Sequence, residues 1–277
     1  MIKKPLILEI SDGVYAINEF GLDTMFIVIG DTKALVIDTG MGCFDFKSLI
    51  EEITTLPYSV VLTHGHLDHA GGVDQFDEVY VHPLDRDSIS SIKREDRMES
   101  CKRMRGLEGD IDVWDYKDSD ARSWKSLPKF IDLNEGMEFD LGGRIVKTIF
   151  TPGHSKGSCS FIDLKSRILF SGDACNMNLM VTDCPIKIQY ETMLRLKSHE
   201  NEFDRNYNGH LGFSSGLTHI PVPKDVIDDG IIACKRIMDG IAVPSYNSFS
   251  PRYPNETVST YLYGTISITY RKNHILD

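Results

Sequence analysis

A chain of 277 residues with 41% hydrophobic content is long enough to bury a sizeable core and suits a soluble globular protein. It contains no run of eighteen apolar residues, so no membrane helix is expected, and the start MIKKPLILEISDGVYAI, broken by Glu9, Ser11 and Asp12, reads as cytoplasmic rather than secreted. A formal net charge of −11 disfavours polyanionic partners such as DNA, RNA or an acidic bilayer.

Short β-branched runs open the chain. LILEI, GVYAIN, MFIVIG and ALVIDTG, punctuated by Gly and Asp, predict an antiparallel meander that leads into a buried strand. FDFKSLIEEITTL follows, with Phe46, Leu49, Ile50 and Ile53 at helical spacing, and YSVVLTH returns to strand. That order delivers a histidine cluster to a strand's C-terminal end, where open α/β sheets place their sites. From Pro83 to about Pro128 the chain turns polar, with helical stretches near 84 to 105 and the loop DVWDYKDSDARSW. The basic residues of IKREDRMESCKRMRG alternate with acids, the pattern of a solvated helix face. An insertion of this kind reads first as a cover over the site mouth, with plain surface or a dimer contact as alternatives.

Strand signals resume in MEFDLGG, RIVKTIFTPGH, SCSFIDLKS and RILFSGDA, two of which end in His154 and Asp173. A helix is expected over YETMLRLKSHENEF and another over KDVIDDGIIACKRIMDGI, before two closing strands, STYLYG and TISITYR, that meet at Gly264. No repeat or interdomain linker interrupts the chain, which reads as one domain over 1–277 with the insertion at about 83–128. The six cysteines lack paired spacing and read as reduced core residues.

The stretch LTHGHLDHAGG puts three histidines and an aspartate into six positions. Histidine nitrogen and aspartate oxygen are ligands for zinc and other borderline divalent metals. The spacing His64-x-His66-x-Asp68-His69 does not fit one helix face, but a strand end entering a tight turn lets His64 and His66 share one metal while Asp68 and His69 serve a second.

Together, THGHLDHAGG, TPGHSKGS, SGDA, YNGH and the earlier VIDTG resemble, in order, the ligand motifs of the metallo-β-lactamase superfamily. The resemblance spans roughly residues 10 to 212 and implies an α/β fold, a four-layer αββα sandwich with the metal site at one edge. It also implies one metal held by His64, His66 and His154, a second held by Asp68, His69 and His210, and Asp173 bridging them. Zinc comes first among the metals, with manganese and iron as alternatives.

Such a pair shares a water whose pKa falls from about 16 toward about 7, giving hydroxide as the nucleophile. Asp68 is then the catalytic residue, both ligand and orienter of that water. The expected reaction is hydrolysis of a small ester, thioester, lactone or related substrate, by a monomer or a homodimer. Two other readings stand beside it: an iron-dependent redox enzyme on the same fold, and a non-catalytic protein that binds metal or a small molecule. Di-iron reductases of the superfamily are expected to carry glutamate where this chain has His66, and retention of Asp68 and Asp173 favours catalysis over mere binding.

Asp38 either fixes a histidine tautomer from outside the metal sphere or caps a turn, and Thr63, Thr151 and Ser158 either brace the ligand loops or satisfy local backbone. His82, His199, His219 and His274 are surplus and are assigned to surface or packing. Tyr190, Tyr207, Trp114, Trp124 and Tyr246 either line a pocket or fill core, and Cys175 is assigned to packing.

Overall fold

The computed structural model describes residues 5–19, 23–107, 117, 119–210, 220–250 and 253–277. Trp114 and His219 lie outside them. The strands of the first half are β1 (Leu6–Ser11), β2 (Val14–Glu19), β3 (Asp23–Ile29), β4 (Ala34–Ile37), β5 (Tyr58–Val61), β6 (Glu78–Val81) and β7 (Lys129–Asp132). They form one sheet in sequence order: β1 to β4 are antiparallel neighbours, and β4 to β7 are parallel. The meander passes into parallel strands where α1 (Phe46–Ile53) first supplies a crossover. Asp45 caps α1 by accepting from the Ser48 N–H at 3.1 Å, and Phe46, Leu49 and Ile50 form its buried face.

The second sheet runs β13-β11-β10-β9-β8, built from β8 (Glu138–Asp140), β9 (Ile145–Phe150), β10 (Cys159–Asp163), β11 (Ile168–Gly172) and β13 (Arg205–Asn208). Alternation along the strands decides what lies between the sheets. Phe26 and Val28 of β3 join Phe161, Ile168 and Phe170 in the core between them, while Ile27 packs outward with Val36, Phe46 and Ile50. Ile162 and Leu169 face away from the first sheet into a further core with Met193 of α5 (Ile186–Ser198) and Ile227 of α6 (Val226–Met238). The layer order is helix, sheet, sheet, helix, as the motifs implied.

A third sheet was not anticipated. It runs β12-β16-β15-β14, from β12 (Asn178–Val181), β14 (Tyr246–Ser250), β15 (Tyr253–Tyr263) and β16 (Ile266–Arg271), and Ile268 packs into the same core as α5 and α6. The two closing strands read from sequence are the C-terminal part of β15 and β16. The insertion carries α3 (Arg86–Ser90) and α4 (Arg94–Leu107), in agreement with the helical stretches expected there. All six cysteines are buried as free thiols, with Cys43 Sγ and Cys101 Sγ 3.3 Å apart. Among the described residues, no helix is long and apolar enough to cross a membrane.

Candidate metal centre

Five strands end at one edge of the sandwich, and each contributes polar side chains there. Beyond β5 come Thr63, His64 and His66, and the short α2 (Leu67–Ala70) then carries Asp68 and His69. His154 follows β9, Asp173 follows β11, His210 follows β13 and Asp38 follows β4. Gly209 permits the close approach of the last ligand loop, because a Cβ there would lie 2.3 Å from Cε1 of His69.

All seven residues named from sequence come together. Their ligand atoms fall into three overlapping groups, His64–His66–His154, His64–His69–Asp173 and Asp68–His69–His210, with the atoms of each group within 4.8 Å of one another. His66 Nδ1 lies 2.9 Å from His154 Nε2. His210 Nε2 lies 3.5 Å from Asp68 Oδ2, and His69 Nε2 lies 3.9 Å from it. Asp173 sits between the two triads: its Oδ2 is 3.4 Å from His154 Nε2 and 3.1 Å from His210 Nε2, and its Oδ1 is 3.6 Å from His69 Nε2. Ligands about 2.1 Å from a tetrahedral ion stand about 3.4 Å apart, so these separations suit the group.

The hydrogen bonds around the histidines say which nitrogens are left for a cation. His154 Nδ1 faces the Met180 carbonyl at 2.8 Å; a carbonyl only accepts, so this nitrogen carries the proton and Nε2 presents a lone pair. Asp38 accepts from His69 Nδ1 at 2.8 Å while also accepting from the Thr63 N–H at 2.7 Å and the Thr63 hydroxyl at 2.8 Å. Of its two readings, Asp38 therefore takes the one that fixes a tautomer, from a backbone at φ 64° that non-glycine residues seldom adopt. His64 Nδ1 lies 3.2 Å from the Thr63 hydroxyl. Inside this ring, His64 Nε2, His69 Nε2 and Asp173 Oδ1 are buried with no hydrogen-bond partner among the described residues. Three stranded ligand atoms converging on one point are costly unless a cation joins them, and this is the observation by which the residues fit divalent metal.

Electrostatics agree. Burial and then the neighbouring His69, His66 and His154 hold His64 well below its ordinary range, so its imidazole is neutral. Burial opposes ionisation of Asp173, yet His210, His69 and His154 together keep it ionised well below the usual carboxylate range. Burial also opposes a charge on Asp68, and His69 and His210 outweigh it. A neutral His64 beside ionised Asp68 and Asp173 suits a divalent cation. Against the opposing effect of burial, Asp38, Asp68 and Asp173 favour a proton on His69 and raise it to about 9, so a metal there would displace that proton.

Residues 19–178 match the family model of the metallo-β-lactamase superfamily. The chain belongs to that superfamily. Among curated superfamily relatives, human acyl-coenzyme A thioesterase MBLAC2 is 28% identical over 184 residues, which cover 60% of this chain and 64% of that protein. The Bacillus subtilis protein named probable metallo-hydrolase YqgX is 27% identical over 154 residues, covering 53% and 64%. The matches thus span less than two thirds of either relative's length. Among solved structures, a metallo-β-lactamase from Pontibacter korlensis is similar with a TM-score of 0.58 and 17% identity, covering 83% of this chain and 98% of that one. An archaeal superfamily protein from Sulfolobus tokodaii is similar with a TM-score of 0.53 and 19% identity, covering 87% and 92%. These likenesses show the superfamily's fold.

One residue that holds this superfamily site together escaped the sequence reading. Asp85, buried at the start of the insertion, accepts from the Gly65 N–H at 2.9 Å and the Ser155 hydroxyl at 2.8 Å through Oδ2, and from the Gly157 N–H at 2.9 Å through Oδ1. It ties the loop between His64 and His66 to the loop after His154. Its signal was a lone Asp after His82-Pro83, with no motif around it. Ser158 takes part in the same brace, 2.8 Å from the Ser155 hydroxyl, and Thr151 bonds Ser160 at 2.9 Å. Deeper in the insertion, Arg97 donates to the Gly71 and Met41 carbonyls at 3.0 and 3.2 Å, and the Trp124 indole donates to Gly71 at 2.9 Å. Of the surplus histidines, His82 packs on Phe150 and His199 pairs with Glu202 at 2.7 Å. Tyr207 and Cys175 are core.

Proposed function

We propose that this chain is a metal-dependent hydrolase that cleaves an ester-like bond in a small substrate, with two divalent ions in its working state. The observation that carries the reading is the convergence of unpartnered His64 Nε2, His69 Nε2 and Asp173 Oδ1 between two ligand triads. His64, His66 and His154 would hold one ion, Asp68, His69 and His210 the other, and Asp173 would serve both. Zinc is the first choice, with manganese and iron also suited to a histidine and aspartate set. The chemistry supplied by such a pair is Lewis acidity toward the substrate's oxygen and activation of water at neutral pH.

The chain's own residues supply the rest. Asp68 is the most exposed of the site's carboxylates, with its side chain 31% exposed, and it faces both His69 and His210. From there the Asp68 carboxylate would orient the attacking water. Asp38, Thr63 and the Met180 carbonyl keep the histidine lone pairs turned inward, so the site is organised before substrate arrives.

Thioesters lead the substrate classes because a relative at 28% identity is named an acyl-coenzyme A thioesterase. The net charge of −11 disfavours a phosphate-rich carrier, so the size of the carrier's contribution is itself informative. The test is a panel of acyl-coenzyme A thioesters, acyl-N-acetylcysteamine thioesters, lactones, phosphodiesters and β-lactams, assayed with zinc-loaded protein and with Asp68→Asn. Thioester turnover that chelator abolishes and that D68N lowers by about 10²–10⁴-fold is expected. Full activity in D68N, or no turnover of any class, would contradict the assignment.

A further inference from the structure

The outer nitrogens of three ligand histidines have partners at 2.8 to 3.2 Å: the Met180 carbonyl for His154, Asp38 for His69 and Thr63 for His64. His66 differs. Its Nδ1 points at His154 Nε2, and its Nε2 lies 3.6 Å from Asp183 Oδ2, longer than a hydrogen bond but within ion-pair range. Asp183 does not float there. Its other oxygen, Oδ1, accepts from the Tyr253 hydroxyl at 2.6 Å, while Oδ2 faces the imidazole.

The tether continues into the third sheet. Arg271 of β16 lies over the Tyr253 ring, 4.5 Å from its centroid, donates to the Thr182 carbonyl at 3.1 Å, and forms a two-point pair with Glu256 at 2.7 Å for each bond. One guanidinium thus clips the loop that carries Asp183 to the strand that carries Tyr253. Asp183, Tyr253, Glu256 and Arg271 all lie beyond residue 178, where the superfamily match ends.

We propose that Asp183, held by Tyr253, is the positioning residue for His66. Its carboxylate favours the tautomer with the proton on Nε2, which leaves the Nδ1 lone pair aimed at the same point as that of His154. Two lone pairs meeting 2.9 Å apart repel each other unless a cation lies between them, so the Asp183 contact prepares His66 for metal. The third sheet then has a role in the site: it sets the ring of one ligand from outside the two-sheet sandwich.

The inference rests on the metal reading of the site, and the experiment separates the two. Zinc dissociation constants are measured by competition with a chromophoric chelator for wild type, Asp183→Ala, Asp183→Asn and Tyr253→Phe, alongside the melting temperature of each metal-free protein. Both His66 and Asp183 are about one-fifth exposed, so a loss at the low end of the usual range for such partners is expected. D183A should weaken one zinc by about tenfold, D183N, which removes the charge that faces Nε2 and leaves its one oxygen to the Tyr253 hydroxyl, should lose about as much, and Y253F should fall between these variants and wild type, all with unchanged melting temperatures. Wild-type affinity in D183A and Y253F would overturn the positioning role while leaving the metal reading intact, and so would wild-type affinity in D183N. Wild-type protein that binds no zinc would overturn the metal reading and this inference together.

Discussion

Single carboxylates in this protein act according to what surrounds them. Asp68 faces His69 and His210 and stays charged, whereas Glu19 and Asp23 face each other across the β2–β3 pair. Glu19 accepts from the Met41 N–H at 2.6 Å and the Cys43 N–H at 2.9 Å, and Asp23 shares the Met41 donor at 3.1 Å. Burial nevertheless pushes Glu19 up to about 7, against the pull of these donors and of Arg97, and burial with the adjacent Glu19 raises Asp23 well above its ordinary value. The sign of the pH effect follows. A proton held more tightly in the folded than in the unfolded state stabilises the fold below the unfolded value of 4.5, and that contribution is lost as pH rises through about 7. Urea denaturation between pH 5 and 8 should therefore show a downward slope in wild type that Glu19→Gln flattens, since the amide has no proton to lose across that range. Equal slopes in the two proteins would contradict a proton held on Glu19. None of this was legible in the sequence, because a Glu and an Asp four residues apart announce no contact with a loop twenty residues further on.

At the scale of elements, the ligand loops are held by partners distant in sequence. The loop after β5 carries His64 and His66, the loop after β9 carries His154, and Asp85 joins them through three hydrogen bonds. Asp85→Ala leaves the Gly65 and Gly157 N–H groups buried without an acceptor, at a cost of about 2–4 kcal/mol in urea denaturation, and weakens zinc by about 10–100-fold. Wild-type stability together with wild-type affinity in D85A would show that the loops hold their shape unaided. Sequence reading recognised the loops because strand ends followed by His or Asp recur at β5, β9, β11 and β13. It missed the brace because a hydrogen-bonding Asp looks like any other polar residue in a charged insertion. The third sheet was only half legible for a similar reason: β15 and β16 carry aromatic and β-branched residues, whereas β14, YNSFS, is polar and β12 is four residues long. Helix α5 begins at Ile186, a turn before the expected Tyr190, because Pro185 at its N-cap starts it without an acidic first turn to mark the boundary.

Over the whole molecule, two facing sheets give a rigid floor, and the loops at one edge bring together seven residues spread from 64 to 210. The layer order and the seven candidate ligands were implied by the resemblance of the ordered motifs to the superfamily, while strand alternation and the His-x-His-x-Asp-His spacing, as local patterns, disclosed only the strands and the first cluster. The central claim is that the site is built for two divalent ions sharing Asp173. Elemental analysis of wild-type protein equilibrated with zinc and freed of excess, beside Asp173→Ala treated identically, tests it most directly. The account predicts about two zinc ions per wild-type chain and a clear loss of bound zinc when the shared carboxylate is removed. One ion or none in wild type, or full loading of D173A, would contradict it.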